Sequence, residues 1–115
     1  MAIAGQYNFT LDQGSTWTLQ LVYNDSNGNP VNLTGYTAEM QVRKKFDSDT
    51  PVLTLSTSNG GITIVPLTGT LNLLATDEQA NIDPGFYVYD LELSIGGVRT
   101  RLIQGQVTVS GEVTR

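Results

Sequence analysis

Residues 84–115 read PGFYVYDLELSIGGVRTRLIQGQVTVSGEVTR, two runs of alternating apolar and polar residues that meet at Gly96 and Gly97. A Gly-Gly pair supplies the positive φ values of a two-residue hairpin turn, so the stretch is expected to form one long β-hairpin. That turn sets a register: Ile95 opposite Val98, Leu93 opposite Thr100, Leu91 opposite Leu102 and Glu92 opposite Arg101. One face is then apolar and the other charged. On the charged face Glu92 pairs with Arg101, Asp90 lies diagonal to Arg101, and Ser94 stands opposite Arg99. Each cross-strand pair is worth ~0.2–1 kcal/mol and serves mainly to hold the register. After Leu102 the apolar parity changes from even to odd, because Val107 and Val109 follow, and Gly105 is the expected site of a β-bulge. The hairpin is a folding core and holds no arrangement resembling a reaction centre.

Upstream, the same period-two pattern recurs in shorter pieces. Tyr7, Phe9 and Leu11 alternate with polar residues, and after a turn at Asp12-Gln13-Gly14 the longer run Trp17, Leu19, Leu21 and Tyr23 follows. These odd positions are expected to face a core. Asn24 to Pro30 concentrates turn residues, with Gly28 free to take positive φ, and predicts a hairpin. In Tyr36 to Arg43, Ala38, Met40 and Val42 form an inward set against outward Thr37, Glu39, Gln41 and Arg43. A polar loop, Lys44 to Pro51, precedes short strands over Val52–Ser56, Ile62–Val65 and Thr70–Leu74. One helix is expected over 76–82: Thr76 and Gln79 have capping-box spacing, and Asp77 and Glu78 suit a first turn. Asp83-Pro84-Gly85 would end it.

About eight strands separated by turn residues point to an antiparallel sandwich of immunoglobulin type or a related barrel. We take the former: residues 1–115 as a single all-β domain, an immunoglobulin-like β-sandwich. The chain has 115 residues, enough for one core and not for two. Its formal charge of -5 argues against nucleic-acid binding, which needs clustered Lys and Arg. The one basic run, Arg43-Lys44-Lys45, is followed at once by Asp47 and Asp49. With no cysteine there is no disulfide or thiolate metal site. No stretch approaches the ~20 apolar residues of a membrane helix, and MAIAGQYNF lacks the features of a signal peptide. Neither a membrane nor a secretory route is therefore expected.

Chemistry would have to rest on carboxylates, Ser, Lys or Tyr, since histidine is also missing. Asp90 and Glu92 share a strand face and resemble a glycosidase pair in type, but Arg99 and Arg101 opposite make a structural charge cluster the stronger reading. Asp25, Asn27 and Asn29 place oxygen ligands at alternate positions, as a calcium loop does. The glycine falls one place early and Tyr36 stands where the bidentate Glu belongs, so a turn is expected. Asn8, Asn24 and Asn32 are glycosylation sequons in form only. No catalytic residue, metal site or cofactor is expected. Tyr7, Phe9, Trp17, Tyr23, Tyr36, Phe86, Tyr87 and Tyr89 are aromatic residues whose members mostly sit at inward positions, as core. Phe86 and Val88 instead share the outward face with Asp90, an apolar pair that marks a subunit contact.

Several segments together resemble a known group. These are Gln13-Gly14-Ser15-Thr16, Asp25 with Gly28, Pro30 through Ala38, Met40 to Arg43, Gly85 to Leu93, and Gly97 through Arg101-Leu102 and Gly105 to Arg115. The chain resembles, nearly end to end, small virion structural proteins of tailed bacteriophages and prophages. More loosely, through Asp25, Gly28-Asn29-Pro30 and Leu33 to Tyr36, it is similar to the N-terminal immunoglobulin-like domain of siphophage upper baseplate proteins. The sequence departs from those in having no coiled coil or receptor-binding head after the domain, so adaptor function would need a separate partner.

The resemblance implies a non-enzymatic virion protein assembled in the bacterial cytoplasm. It would pack against other virion subunits at a tail, baseplate or fibre-attachment site, and would form a homo-oligomeric or symmetric array. A capsid decoration or neck protein is the alternative within that class. A carbohydrate-binding module touching the host surface is the alternative from another. Beyond Phe86 and Val88, the interface is expected to include the C-terminal Glu112, Val113, Thr114 and Arg115, a segment able to add a strand to a neighbour's sheet edge.

Overall fold

The computed structural model describes residues 5–111. Nine strands are formed among them: β1 Gly5–Gln6, β2 Phe9–Asp12, β3 Trp17–Val22, β4 Thr37–Arg43, β5 Leu53–Ser56, β6 Ile62–Val65, β7 Thr70–Ala75, β8 Gly85–Ile95 and β9 Val98–Ser110. They make two sheets. The larger runs β1-β9-β8-β4-β5, with β2 also paired to β9, and the smaller runs β3-β7-β6. β1 and β2 lie parallel to β9, and the other pairings are antiparallel.

The inward faces of the two sheets close on each other. Met40, Leu55, Leu91, Leu11 and Val107 from one sheet, with Leu71 and Leu73 from the other, are almost wholly removed from water. Ala38, Met40 and Val42 all point inward as their alternation requires. Strands β8 and β9 also reach past the second sheet, since Ile95 and Val98 at the hairpin tip remain exposed although they share the inward parity.

The hairpin turn forms at Gly96 and Gly97, with φ of 55° and 83°. Register near the turn is as expected, with Ile95 opposite Val98, Leu93 opposite Thr100 and Glu92 opposite Arg101. Beyond it the register differs. The shift falls between Leu91 and Glu92, so Leu91 meets Ile103 and Leu102 is the inserted residue; the bulge is not at Gly105. Gly105 has another role. A Cβ built there would lie 2.1 Å from the Tyr7 carbonyl oxygen and 2.7 Å from Asn8 Oδ1. The N-terminal strand is pressed so closely onto β9 that only glycine fits beneath it.

Two further expectations are corrected. Asn24 to Pro30 does close on itself, through an Asn24–Pro30 bridge and a Val31 N–H bond to the Tyr23 carbonyl of 2.9 Å. It does not join paired strands, because β3 pairs with β7 while β4 pairs with β8 and β5. The chain crosses the sandwich between them, anchored by buried Leu33, whose N–H bonds the Pro66 carbonyl at 2.9 Å.

Residues 76–82 do not form a helix. The capping box is present, with Thr76 N–H on Gln79 Oε1 at 2.9 Å and Gln79 N–H on Thr76 Oγ1 at 3.2 Å. Ala80 N–H reaches the Thr76 carbonyl at 2.9 Å, but the α-helical ladder is not continued: Asn81 N–H takes the Glu78 carbonyl at 3.2 Å and Ile82 N–H the Ala80 carbonyl at 2.9 Å. The Ala80 carbonyl also accepts the Gly14 N–H at 3.1 Å. The helical turn among the described residues is a short 3-10 segment, Pro66–Thr68.

Replacing Gly105 by Ala is expected to destabilise the fold by about 3 kcal/mol or more, because the obstructing atoms are backbone and cannot rotate away. A urea unfolding curve measures this directly. A loss below about 1 kcal/mol would mean that β1 and β2 do not sit tightly on β9.

Candidate functional site

The outward face of the larger sheet is one of two sheet faces the fold leaves uncovered, the other being that of the smaller sheet, where Val22, Val65 and Leu74 are exposed. Because side chains alternate along each strand, β8 presents Phe86, Val88, Asp90, Glu92 and Ser94 on the larger sheet's outward face. β9 presents Arg99, Arg101, Gln104, Gln106 and Thr108, and β4 presents Thr37, Glu39, Gln41 and Arg43. A groove of about 530 Å³ runs over this face, with Gln41, Arg43, Val88, Arg101 and Gln104 among its walls and Phe46 at its side.

The charges on the face are arranged diagonally. Arg101 Nε lies 3.3 Å from Asp90 Oδ2, and Arg99 Nε lies 3.7 Å from Glu92 Oε1. Glu92 and Arg101 are cross-strand neighbours, as the register requires, but each bridges to a different partner. Arg101 also donates to Gln104 Oε1 at 3.0 Å, Arg43 to Gln41 Oε1 at 2.6 Å, and Gln41 to Glu39 Oε2 at 2.8 Å. Asp90 and Glu92 are thus engaged in a lattice of guanidinium and amide partners on an open surface. Exposed pairs of this kind are worth little individually, and they hold the side chains in place.

Phe86 is 75% exposed, and Val88 is half-buried in the groove wall. The two do share the outward face with Asp90. Glu112, Val113, Thr114 and Arg115 lie outside the described residues. Phe46, 88% exposed in the loop after β4, was not singled out by the sequence reading. The signal was available: it is the single aromatic residue in the otherwise polar run Lys44 to Pro51.

The remaining aromatic residues pack as the alternation indicates, with one exception. Tyr87 and Tyr89 are buried, and Phe9 stacks on Trp17 at 4.6 Å and meets Tyr89 edge-on at 4.9 Å. Tyr7 is the exception, being exposed. Lys44 Nζ sits 4.7 Å from the centre of the Tyr87 ring. At Asp25, Oδ1 accepts the N–H groups of Asn27 and Asn29 at 2.9 and 3.0 Å, which is the bonding of a turn. Among the described residues, no three His, Cys, Asp or Glu side chains converge in a way that could hold a metal ion. No described helix is long and apolar enough to cross a membrane.

Two tyrosine hydroxyls tie the sheet to the chain around it. Tyr87 donates to the Asp83 carbonyl at 2.6 Å, and Tyr89 donates to the Tyr7 carbonyl at 2.5 Å. A tyrosine at the start of the penultimate strand, bonded back to the preceding corner, recurs in immunoglobulin-like sandwiches. The strand order agrees. β3-β7-β6 corresponds to strands B-E-D, and β9-β8-β4-β5 to G-F-C-C′. The chain is an all-β, immunoglobulin-like sandwich, with Tyr89 two residues beyond the corner tyrosine, where antibody domains carry a cysteine.

No family model matches the chain, and no curated protein matches it. Among solved structures it is similar to murine CRIg, at 11% sequence identity, over 91% of this chain and 92% of that one, with a TM-score of 0.39.

Burial, with a smaller electrostatic push from Tyr7, raises the Tyr89 hydroxyl from 10.0 to about 12; burial, and then Asp83, also raise Tyr87. Below pH 10 both folded and unfolded chains keep the proton and stability is complete. As the pH rises from 10 toward about 12 the unfolded chain releases it first and stability is lost. Thermal melts at about pH 9 and about pH 11 are expected to show this drop. Tyr89→Phe should flatten the drop while costing about 1 kcal/mol at neutral pH for the missing hydrogen bond. An unchanged alkaline slope in the variant would remove Tyr89 from the account.

Proposed function

We propose that this chain is a non-enzymatic structural module of a tailed-bacteriophage particle, a tail, baseplate or fibre-attachment adaptor that packs against other virion subunits. The observation that carries the reading is the exposed ring of Phe46 in the wall of an open groove with Val88, together with exposed Phe86 on the same outward, otherwise polar sheet face. Ring surface of that size left in water is favourable to bury against a partner, at ~25 cal/mol per Å². The sequence resemblance to small virion proteins supports the particle as the setting. Assembly would take place in the bacterial cytoplasm and the finished protein would reside in the virion. Capsid decoration or a neck position is the alternative within this class.

A second reading, a carbohydrate-binding module, is favoured by one observation. The groove gathers the side-chain amides of Gln6, Gln41, Gln104 and Gln106 around Phe46, donors and acceptors suited to sugar hydroxyls.

Quantitative mass spectrometry of particles of the encoding phage, separated into heads and tails, tests the first reading. Copies in the tail fraction at a low stoichiometry to the tube protein are expected. Abundance in the head fraction, comparable with the capsid protein, would transfer the protein to a decoration role. Its absence from both fractions would defeat the virion reading.

A further inference from the structure

Building on the reading of this chain as an assembly subunit, we propose that the outward face of the larger sheet is covered by a second copy of the same chain. The dimer would be two-fold, with its axis lying along the strands between β8 and β9. Rotation about such an axis brings whatever β8 carries at a given level over what β9 carries at that level, and the reverse. A face can bind its own copy in this way only if those two columns are complementary.

They are. Reading down β8, Ser94, Glu92, Asp90, Val88 and Phe86 stand level with Arg99, Arg101, Gln104, Gln106 and Thr108 on β9. In the dimer, Glu92 of each chain meets the other copy's Arg101, Asp90 meets an amide, and the Phe86 ring meets the methyl-bearing Thr108. No charge on these two strands meets its like. One column further out, Gln41 on β4 and Gln6 on β1 share the level of Asp90 and Gln104, so the same rotation lays amide on amide.

The charge balance points the same way. The chain as a whole carries -5, and two copies therefore repel over most orientations. The outward residues of β4, β8 and β9 are different: Arg43, Arg99 and Arg101 offset Glu39, Asp90 and Glu92. This neutral face lets copies approach. It also carries the exposed aromatics and arginines that are enriched in protein interfaces.

The size is sufficient as well. Each strand of the larger sheet taken at its own length, with ~3.3 Å per residue and ~4.8 Å between strands, gives a face of ~650 Å² per copy. That is somewhat below the ~800 Å² per partner of a standard stable interface and within its range.

Sedimentation equilibrium on the intact chain, over about 1 to 300 µM, a range suited to a micromolar Kd, decides the matter. A monomer–dimer equilibrium is expected. Phe86→Ser should weaken it at least tenfold without altering the melting temperature of the dilute monomer, because that side chain lies outside the core. Arg101→Glu should also weaken it at least tenfold, since two acidic side chains then meet across the interface at the level of Glu92. A monomer at every concentration, a trimer or larger ring, or a dimer indifferent to both single substitutions would overturn the proposal. Its failure is separable from that of the particle reading. Monomers that still enter tails would sink the dimer alone, whereas a dimer absent from particles would sink the virion role alone.

Discussion

One extra residue in β9, Leu102, reconciles the two ends of the long hairpin. Near the turn, Arg99 and Arg101 must point outward to meet Glu92 and Asp90. At the far end Val107 and Val109, odd-numbered like the arginines, must point inward to fill the core. A strand with a strict period of two cannot satisfy both, because a slip of one residue exchanges the faces. The insertion opposite the Leu91–Glu92 step changes the parity between them. The outward charge lattice and the inward valine rows then coexist on one strand.

The same strand also receives the N-terminus, and there the fit is tightest. β1 and β2 are in effect one parallel strand interrupted at Tyr7 and Asn8. Asn8 Oδ1 takes the Gln106 N–H at 2.9 Å across the gap, so the backbone donor is not left without a partner when the ladder breaks. Tyr7 lays its carbonyl over Gly105 and accepts the Tyr89 hydroxyl from beneath. Burial that removes this hydroxyl from water is also what raises its pKa, so one contact both closes the sheet and makes it sensitive to alkali.

What could be read from the sequence was whatever is decided locally. Alternation gave the inward set Ala38, Met40 and Val42, and a Gly-Gly pair gave the hairpin turn, because side-chain parity and positive φ are properties of a few adjacent residues. The order of strands across the sheets was not legible, since β3 and β4 look like hairpin partners until β7 competes for β3. The helix over 76–82 does not form although its capping box is genuine, because the N–H groups of Asn81 and Ile82 turn to the Glu78 and Ala80 carbonyls and a tertiary donor, Gly14, adds a bond to Ala80 that no local pattern announces. The bulge was assigned to Gly105 because glycine tolerates irregular backbone; in the fold that glycine answers to the closeness of Tyr7 instead. For the site, Phe86 and Val88 were legible as apolar residues at polar parity. Phe46 was not, because a loop has no parity to violate.

The edges of the sandwich explain why association should use a face. β5 and β6 end their sheets after only four residues each, and the β1–β2 edge is broken at Tyr7 and Asn8. β3 is longer, but it borders a cleft shared with Gly5, Leu102 and Ile103. Short, interrupted or enclosed edges are poor templates for strand addition. The hairpin of β8 and β9 has the opposite character, with eleven and thirteen residues in the interior of a sheet. Its backbone groups are paired between the two strands, and again with β4 over Val88–Ser94 and with β1 and β2 over Ile103–Gln104 and Val107–Ser110, so along those stretches only side chains are available to a partner. Contact through side chains on a sheet face is selective in a way that backbone pairing is not, because it requires the columns of charge, amide and ring to match.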